Sequence, residues 1–239
     1  MSTVEEKAAS GMTADVPLLR DGQRLDGAEF LRRYEQTPPG FKAELIGGVV
    51  HVPSPLSVPH GRSLVDTSTW LGLYDARTPG VEARGEATTV LDELGVPQPD
   101  NQLRILPESD GQTHNEGEYV GGAPELVVEV AKSSKRIDVG EKRADYERAG
   151  VLVYVVVTLD PGEVHWHVRR GGRLERIPRD PDGIYRTDVF PGLWLDPAAL
   201  LRGDLAGVIA ILERGLASPE HAAFVARLAA EAARSAGGV

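Results

Sequence analysis

Three acids in this chain stand where strand patterning alone would not put them. In "PELVVEV", residues 124 to 130, Leu126, Val127, Val128 and Val130 are what a strand covered on both faces wants, yet Glu129 interrupts the run. Burying a carboxylate without a partner costs several kcal/mol. Asp100 follows Pro99 and opens the strand pattern "NQLRIL"; Glu44 lies in "KAELIGGVVHVP". If the strands of Asp100 and Glu129 are sheet neighbours, the two carboxylates meet at one point, and a divalent cation would offset their repulsion. Magnesium held by two carboxylates and waters is an ordinary arrangement for phosphodiester chemistry, and manganese takes the same oxygen ligands. A lysine beside it would orient the attacking water or stabilise charge at phosphorus. Lys132, Lys135 and Lys142 all follow Glu129 within a short stretch.

Each of these residues also has a plainer reading. Asp100 can cap a turn after Pro99. Glu129 can sit where its strand emerges into water. Glu44 falls opposite His51 in a hairpin and can pair with it across the strands. Lys142 has Asp138 four residues before it, the favourable order for a helix-surface pair. His60 precedes a helical pattern and can cap it or support Glu44. His165 and His167 share one strand face, as two zinc ligands would, but no third ligand is evident. Trp70, Trp166 and Trp194 read as packing residues.

These residues need elements to hold them. "DGAEFLRRYEQ" reads as a helix capped by Asp26. "KAELIGGVVHVP" reads as a hairpin turning at Gly47-Gly48, with Ile46 opposite Val49, Leu45 opposite Val50 and Glu44 opposite His51. Residues 60 to 77 are helical, with Leu64, Trp70, Leu71 and Tyr74 apolar. "EATTVLD" and "NQLRIL" read as strands around "GVPQPD", and residues 107 to 123 as a loop. "RIDVGEKRADYERAG" is a helix closed by Gly150, and "VLVYVVVTLD" must be a central strand. Together with "PELVVEV" they form a parallel crossover unit. "GEVHWHVRRGGRLERIP" is a second hairpin, and helices follow "FPGLWLD". The fold class is α/β (α+β), a mixed sheet flanked by helices. The last helix carries an apolar stripe of Ala223, Phe224, Leu228 and Ala232 that needs a cover.

In order along the chain, "AELIGGVVHVPSP" with His60 after it, "PQPD", "GAPELVVEVAKSS", "DVGEKRADYERAGVLVYVVV" and "FPGLWLD" resemble the PD-(D/E)xK nuclease superfamily and, more narrowly, the Uma2 family of endonucleases (DUF820). The resemblance implies a restriction-endonuclease-like core, Mg2+- or Mn2+-dependent cleavage of nucleic acid, DNA above all, and a homodimer. Carried over residue by residue, Asp100 matches the first acid of the motif, Glu129 the second, and Glu44 an acid that many members carry upstream; these three are the implied metal ligands. The superfamily lysine stands two residues after the second acid, where this chain has Ala131. Lys142 matches a lysine that Uma2-like sequences carry in the following helix. The expected organisation is a disordered tail over residues 1–16, the nuclease-like domain over 17–196 and a helical extension over 197–239.

Composition bounds these expectations. The 239 residues are 41% hydrophobic and 26% charged, enough for a sizeable core, with no cysteine. Thiolate chemistry is therefore excluded, a reducing cytoplasm suits the chain, and no apolar stretch approaches membrane-span length. A net charge of -10 weighs against a long nucleic-acid footprint but not against a local basic surface. Two other functions compete with the nuclease: a catalytically degenerate relative that only binds nucleic acid or protein, and an assembly module with no nucleic-acid role.

Overall fold

Valine-rich runs that need cover on both faces find it by pairing in the middle of a sheet. The structure, a computed structural model, describes residues 19–53, 57–131 and 140–237. Strands β8 (Leu126–Ala131) and β9 (Val153–Leu159) lie parallel, in register from Leu126↔Val153 to Ala131↔Thr158. The hairpin β10 (Gly162–Arg170) and β11 (Arg173–Arg176) extends the sheet beyond β9; β5 (Asn101–Ile105) and β3 (Val81–Gly85) extend it beyond β8. The order is β11-β10-β9-β8-β5-β3. Only the β8–β9 pair is parallel in this sheet.

Side chains alternate across a strand, so each face of the sheet makes its own core. Leu126, Val128 and Val130 of β8 join Val153, Val155 and Val157 of β9 in the larger core. That core is closed by α2 (Val58–Asp75), α4 (Pro197–Leu201), α5 (Leu205–Leu216) and α6 (Pro219–Gly237). Trp70 packs edge-on against Trp166 inside it. Full burial of each such Val, Leu or Phe stabilises the fold by about 1.5–3 kcal/mol. Val127, Ala131, Tyr154 and Val156 point the other way, toward Tyr146 of α3 (Lys142–Ala149). Glu129 belongs by alternation to this second face.

A third core forms where α1 (Gly27–Tyr34), capped by the Asp26 side chain, meets the hairpin of β1 (Glu44–Ile46) and β2 (Val49–His51). Its register is the one the sequence predicts. Gly47 and Gly48 both have positive φ, +58° and +74°, which the tight turn demands and a side chain would resist.

Three expectations need correction. Residues 107 to 123 are not a plain loop: they hold a short 3-10 turn at Pro107–Ser109, then β6 (His114–Glu116) and β7 (Tyr119–Gly121). β6 is wholly exposed and has no apolar alternation to reveal it; β7 is fastened by parallel pairing with β4 (Thr89–Val90), the only part of "EATTVLD" that is a strand. β3 was not expected at all. Its "VEARG" is half polar because Glu82 answers Arg104, its cross-strand partner on β5, at 2.6 Å. On α6, Phe224 and Leu228 are buried, but Ala223 is exposed and His221 takes its place beside Tyr74 and Thr78. The stripe is thus covered by the chain's own core. The expected N-terminal tail of residues 1–16 lies outside the described residues.

His165 and His167 sit buried on the second sheet face. His167 Nδ1 lies 3.2 Å from the Tyr154 carbonyl, and its ring stacks on that of Tyr154. Desolvation pulls the His167 imidazole down from 6.5 to about 4, against the raising effect of the Tyr154 carbonyl. The folded-state value lies below the unfolded one, so between the two the unfolded chain binds more protons. This contribution is complete above pH about 6.5 and is lost as pH falls toward about 4. Urea midpoints measured at pH 7, 5.5 and 4.5 are expected to fall less steeply in His167→Gln than in the wild type. Parallel curves would assign the acid sensitivity elsewhere.

Candidate functional site

The antiparallel pairing of β5 with β8 sets Asn101 against Val128, and one further step in that register brings Asp100 opposite Glu129. Helix α2 fixes this corner. Ser68 donates to Asn101 Oδ1 at 2.7 Å, and Asn101 Nδ2 donates to Thr67 at 3.0 Å. The Asp100 carboxylate accepts the Val130 N–H through Oδ2 at 2.7 Å, and its Oδ1 lies 3.4 Å from His60 Nε2 in the first turn of α2. His60 therefore faces Asp100, not Glu44.

Glu129 is 3% exposed. Its Oε1 accepts from Lys142 Nζ at 3.0 Å and from the Tyr146 hydroxyl at 2.8 Å. Lys142 and Tyr146 are four apart on α3, which stacks their side chains on one helix face. Lys142 Nζ also lies 2.9 Å from Glu44 Oε1, which accepts the Gln98 N–H at 2.7 Å. Glu44 and His51 are strand partners as expected, yet the ion pair between them does not form. Glu44 turns to Lys142, while His51 lies 3.9 Å from Glu141. The packing of α3 brings Lys142 to Glu44, and Glu141 of the same segment lies on the His51 side.

Helix α3 is tied to the β1–β2 turn a second time. Asp145, 4% exposed, accepts the Gly47 N–H at 2.6 Å and holds Arg148 at 2.7 Å, and Arg148 reaches on to Asp92. Burial pushes the Asp145 carboxyl up, while the Gly47 N–H and Arg148 act to lower it. The Tyr146 phenol is raised well above its ordinary value of 10.0, first by burial and then by the charge of Glu129. It therefore stays protonated at neutral pH and can keep donating to Glu129.

Tyr146 is the site residue that sequence reasoning missed. The available signal was its place four residues after Lys142, on the same helix face. Lys132, Lys135 and Asp138 lie outside the described residues, and Ala131 is buried at the end of β8.

Among the described residues no three His, Asp or Glu side chains are gathered as a metal-binding group, because the Lys142 ammonium stands between Glu44 and Glu129. Asp100 and Glu129 remain on adjacent strands as a hard oxygen pair, which fits Mg2+ or Mn2+ completed by waters. His165 and His167 gather no third ligand among the described residues.

The model of one protein family, Uma2, described as "Putative restriction endonuclease", matches residues 28–198. The chain belongs to the Uma2 family. A solved structure is similar, the crystal structure of a "putative nuclease belonging to DUF820" from Anabaena variabilis. The TM-score is 0.55 at 14% sequence identity, covering 72% of this chain and 97% of that one. At that identity the likeness shows a shared fold. No curated protein matches the chain. The Uma2 match spans every residue of the constellation, from Glu44 through Asp100 and Glu129 to Lys142 and Tyr146.

Lys142→Met would remove the ammonium that bridges the buried Glu129 and Glu44, and about 3–5 kcal/mol of stability is expected to be lost in urea denaturation. Adding Glu129→Gln to the same chain should cost much less than the two single losses together. Strict additivity would mean that the pair does not interact.

Proposed function

We propose that this chain is a metal-dependent endonuclease that hydrolyses phosphodiester bonds in DNA, acting as a homodimer in the cytoplasm. The observation that carries the reading is the Lys142 ammonium held 3.0 Å from Glu129, on the strand beside Asp100. Asp100 and Glu129 would hold Mg2+ or Mn2+, which when bound polarises a phosphoryl oxygen and activates a water. Lys142 is the cation that orients that water or offsets charge at phosphorus. Glu44 serves Lys142: a second carboxylate on the ammonium, 2.9 Å away, keeps it aimed. His60 steadies Asp100, and Tyr146 steadies Glu129. In this reading the helix lysine takes over the task of the strand position occupied by Ala131. The dimer rests on the family resemblance alone, and a monomeric mass by light scattering would remove it without touching the chemistry.

A second reading, a degenerate relative that binds without cutting, is favoured by Ala131 at the motif position and by the net charge of -10. Purified protein is incubated with plasmid, single-stranded DNA and RNA in Mg2+ and in Mn2+. Cleavage of DNA is expected, falling at least about 100-fold in Asp100→Asn, Glu129→Gln and Lys142→Ala. Cleavage retained by Lys142→Ala but abolished by Lys132→Ala would move the role to the strand lysine. Binding without cleavage under every condition would establish the second reading.

A further inference from the structure

The arginines of this acidic chain are unevenly answered. Many arginines meet a carboxylate: Arg32 meets Glu29, Arg148 meets Asp92 and Asp145, and Arg186 meets Asp180 and Asp182. Arg20, Arg24, Arg77 and Arg214 are exposed without an ion pair among the described residues but stand apart from one another in the sequence or beside acids. The β10–β11 hairpin and its exit differ. Residues 169 to 179 hold five arginines and one glutamate in a chain whose net charge is -10. Arg176 pairs with Glu163, and Arg169 donates to the Glu147 carbonyl. Arg170, Arg173 and Arg179 are exposed, and among the described residues none of them makes an ion pair or a side-chain hydrogen bond.

Arg170 and Arg173 are moreover direct cross-strand partners. Like charges placed opposite each other destabilise an antiparallel pair, so this placement opposes folding unless an anion lies across both. Defence of an edge strand explains charge on β11, but it asks for no particular sign and gives no reason for a second arginine facing the first from β10. An acidic protein could guard the edge as well with carboxylates.

We propose that this edge of the sheet grips the phosphate backbone of duplex DNA. The proposal rests on the nuclease-family reading of the site and supplies the basic surface that the overall charge lacks. From Arg173 to Arg179 the chain advances six residues, about 20 Å if extended, which matches roughly six base pairs. β11 stands three strands from β8, on the order of 14 Å across the sheet, and the registers set Arg170 five residues along β10 from His165, which is level with Glu129, on the order of 17 Å along the strands; DNA lying along the edge spans that length. Sequence plays no part in such a grip; it positions the duplex and depends steeply on salt.

The test uses the full chain carrying Glu129→Gln, so that bound DNA is not cut, and a fluorescent 20-base-pair duplex of arbitrary sequence followed by anisotropy without divalent metal. Replacing Arg170, Arg173 and Arg179 by Ala is expected to weaken binding at least about tenfold at low salt. The slope of log affinity against log salt should become shallower by about 2–3. A control removing the same charge elsewhere, through Arg32→Ala, Arg202→Ala and Arg234→Ala, should keep most of the affinity, and both variants should melt near the parent temperature. Equal losses in the two triple variants, an unchanged slope, or no duplex binding by the parent would overturn the proposal. Arginine-dependent binding by a wild-type chain that cuts nothing would sink the nuclease reading and leave this surface standing.

Discussion

Lys142 brings its ammonium to a place where the side chain is 6% exposed, 2.9 Å from Glu44 and 3.0 Å from Glu129. None of these charges is tolerable there alone: a buried ion without a partner costs several kcal/mol, and two carboxylates without the cation would repel each other. The geometry is therefore mutually enforced. β1 must bring Glu44, β8 must bring Glu129, and α3 must present Lys142 between them. The Asp145 bond to the Gly47 N–H and the Arg148 bond to Asp92 hold α3 and the hairpin at that separation. Such a cluster contributes little net stability compared with apolar packing, and its effect is to specify one arrangement of three elements.

The apolar cores allow this. Around the polar corner, β8 and β9 bury ten of their thirteen residues as apolar side chains on the two faces of the sheet. The larger core reaches from Trp70 and Trp166 to Leu212 and Leu228 of the last two helices. A charged corner at the end of a well-covered strand is affordable where the rest of the strand is dry. The same division explains how a structure with 14% identity shares the fold: cores tolerate exchange of apolar residues when volume and pattern are kept, whereas the chemistry rests on a few polar groups, and a shared fold does not by itself carry a shared activity.

Charge is partitioned as well. Paired carboxylates and guanidinium groups occupy much of the surface, while the densest run of arginines, five within residues 169 to 179, stands along one edge of the sheet. Net charge averages over these regions and so says little about what any one of them attracts; local potential within about a Debye length does.

Much of this was legible in the chain itself. The hairpin register at Gly47-Gly48, the covered strands "PELVVEV" and "VLVYVVVTLD", the helix closed by Gly150 and the helix cap at Asp26 follow from local rules, because periodicity, turn glycines and capping carboxylates act over a few residues. Glu129 announced itself as a charge out of place. What local rules cannot supply is the identity of its partners. β3 alternates only through Val81 and Ala83, too short a pattern to stand out, and the β6–β7 hairpin has no apolar alternation; both are fixed by the strands that pair with them. Tyr146 reads as one more aromatic in a helix until α3 folds back over β8, and His60 as a helix cap until Asp100 arrives beside it. Glu44 exchanges its expected partner His51 for Lys142, 98 residues further along the chain, since the tertiary fold brings that ammonium to 2.9 Å from the carboxylate. The sequence determined which groups needed neutralising; only the packing of α3 against the sheet decided what neutralises them.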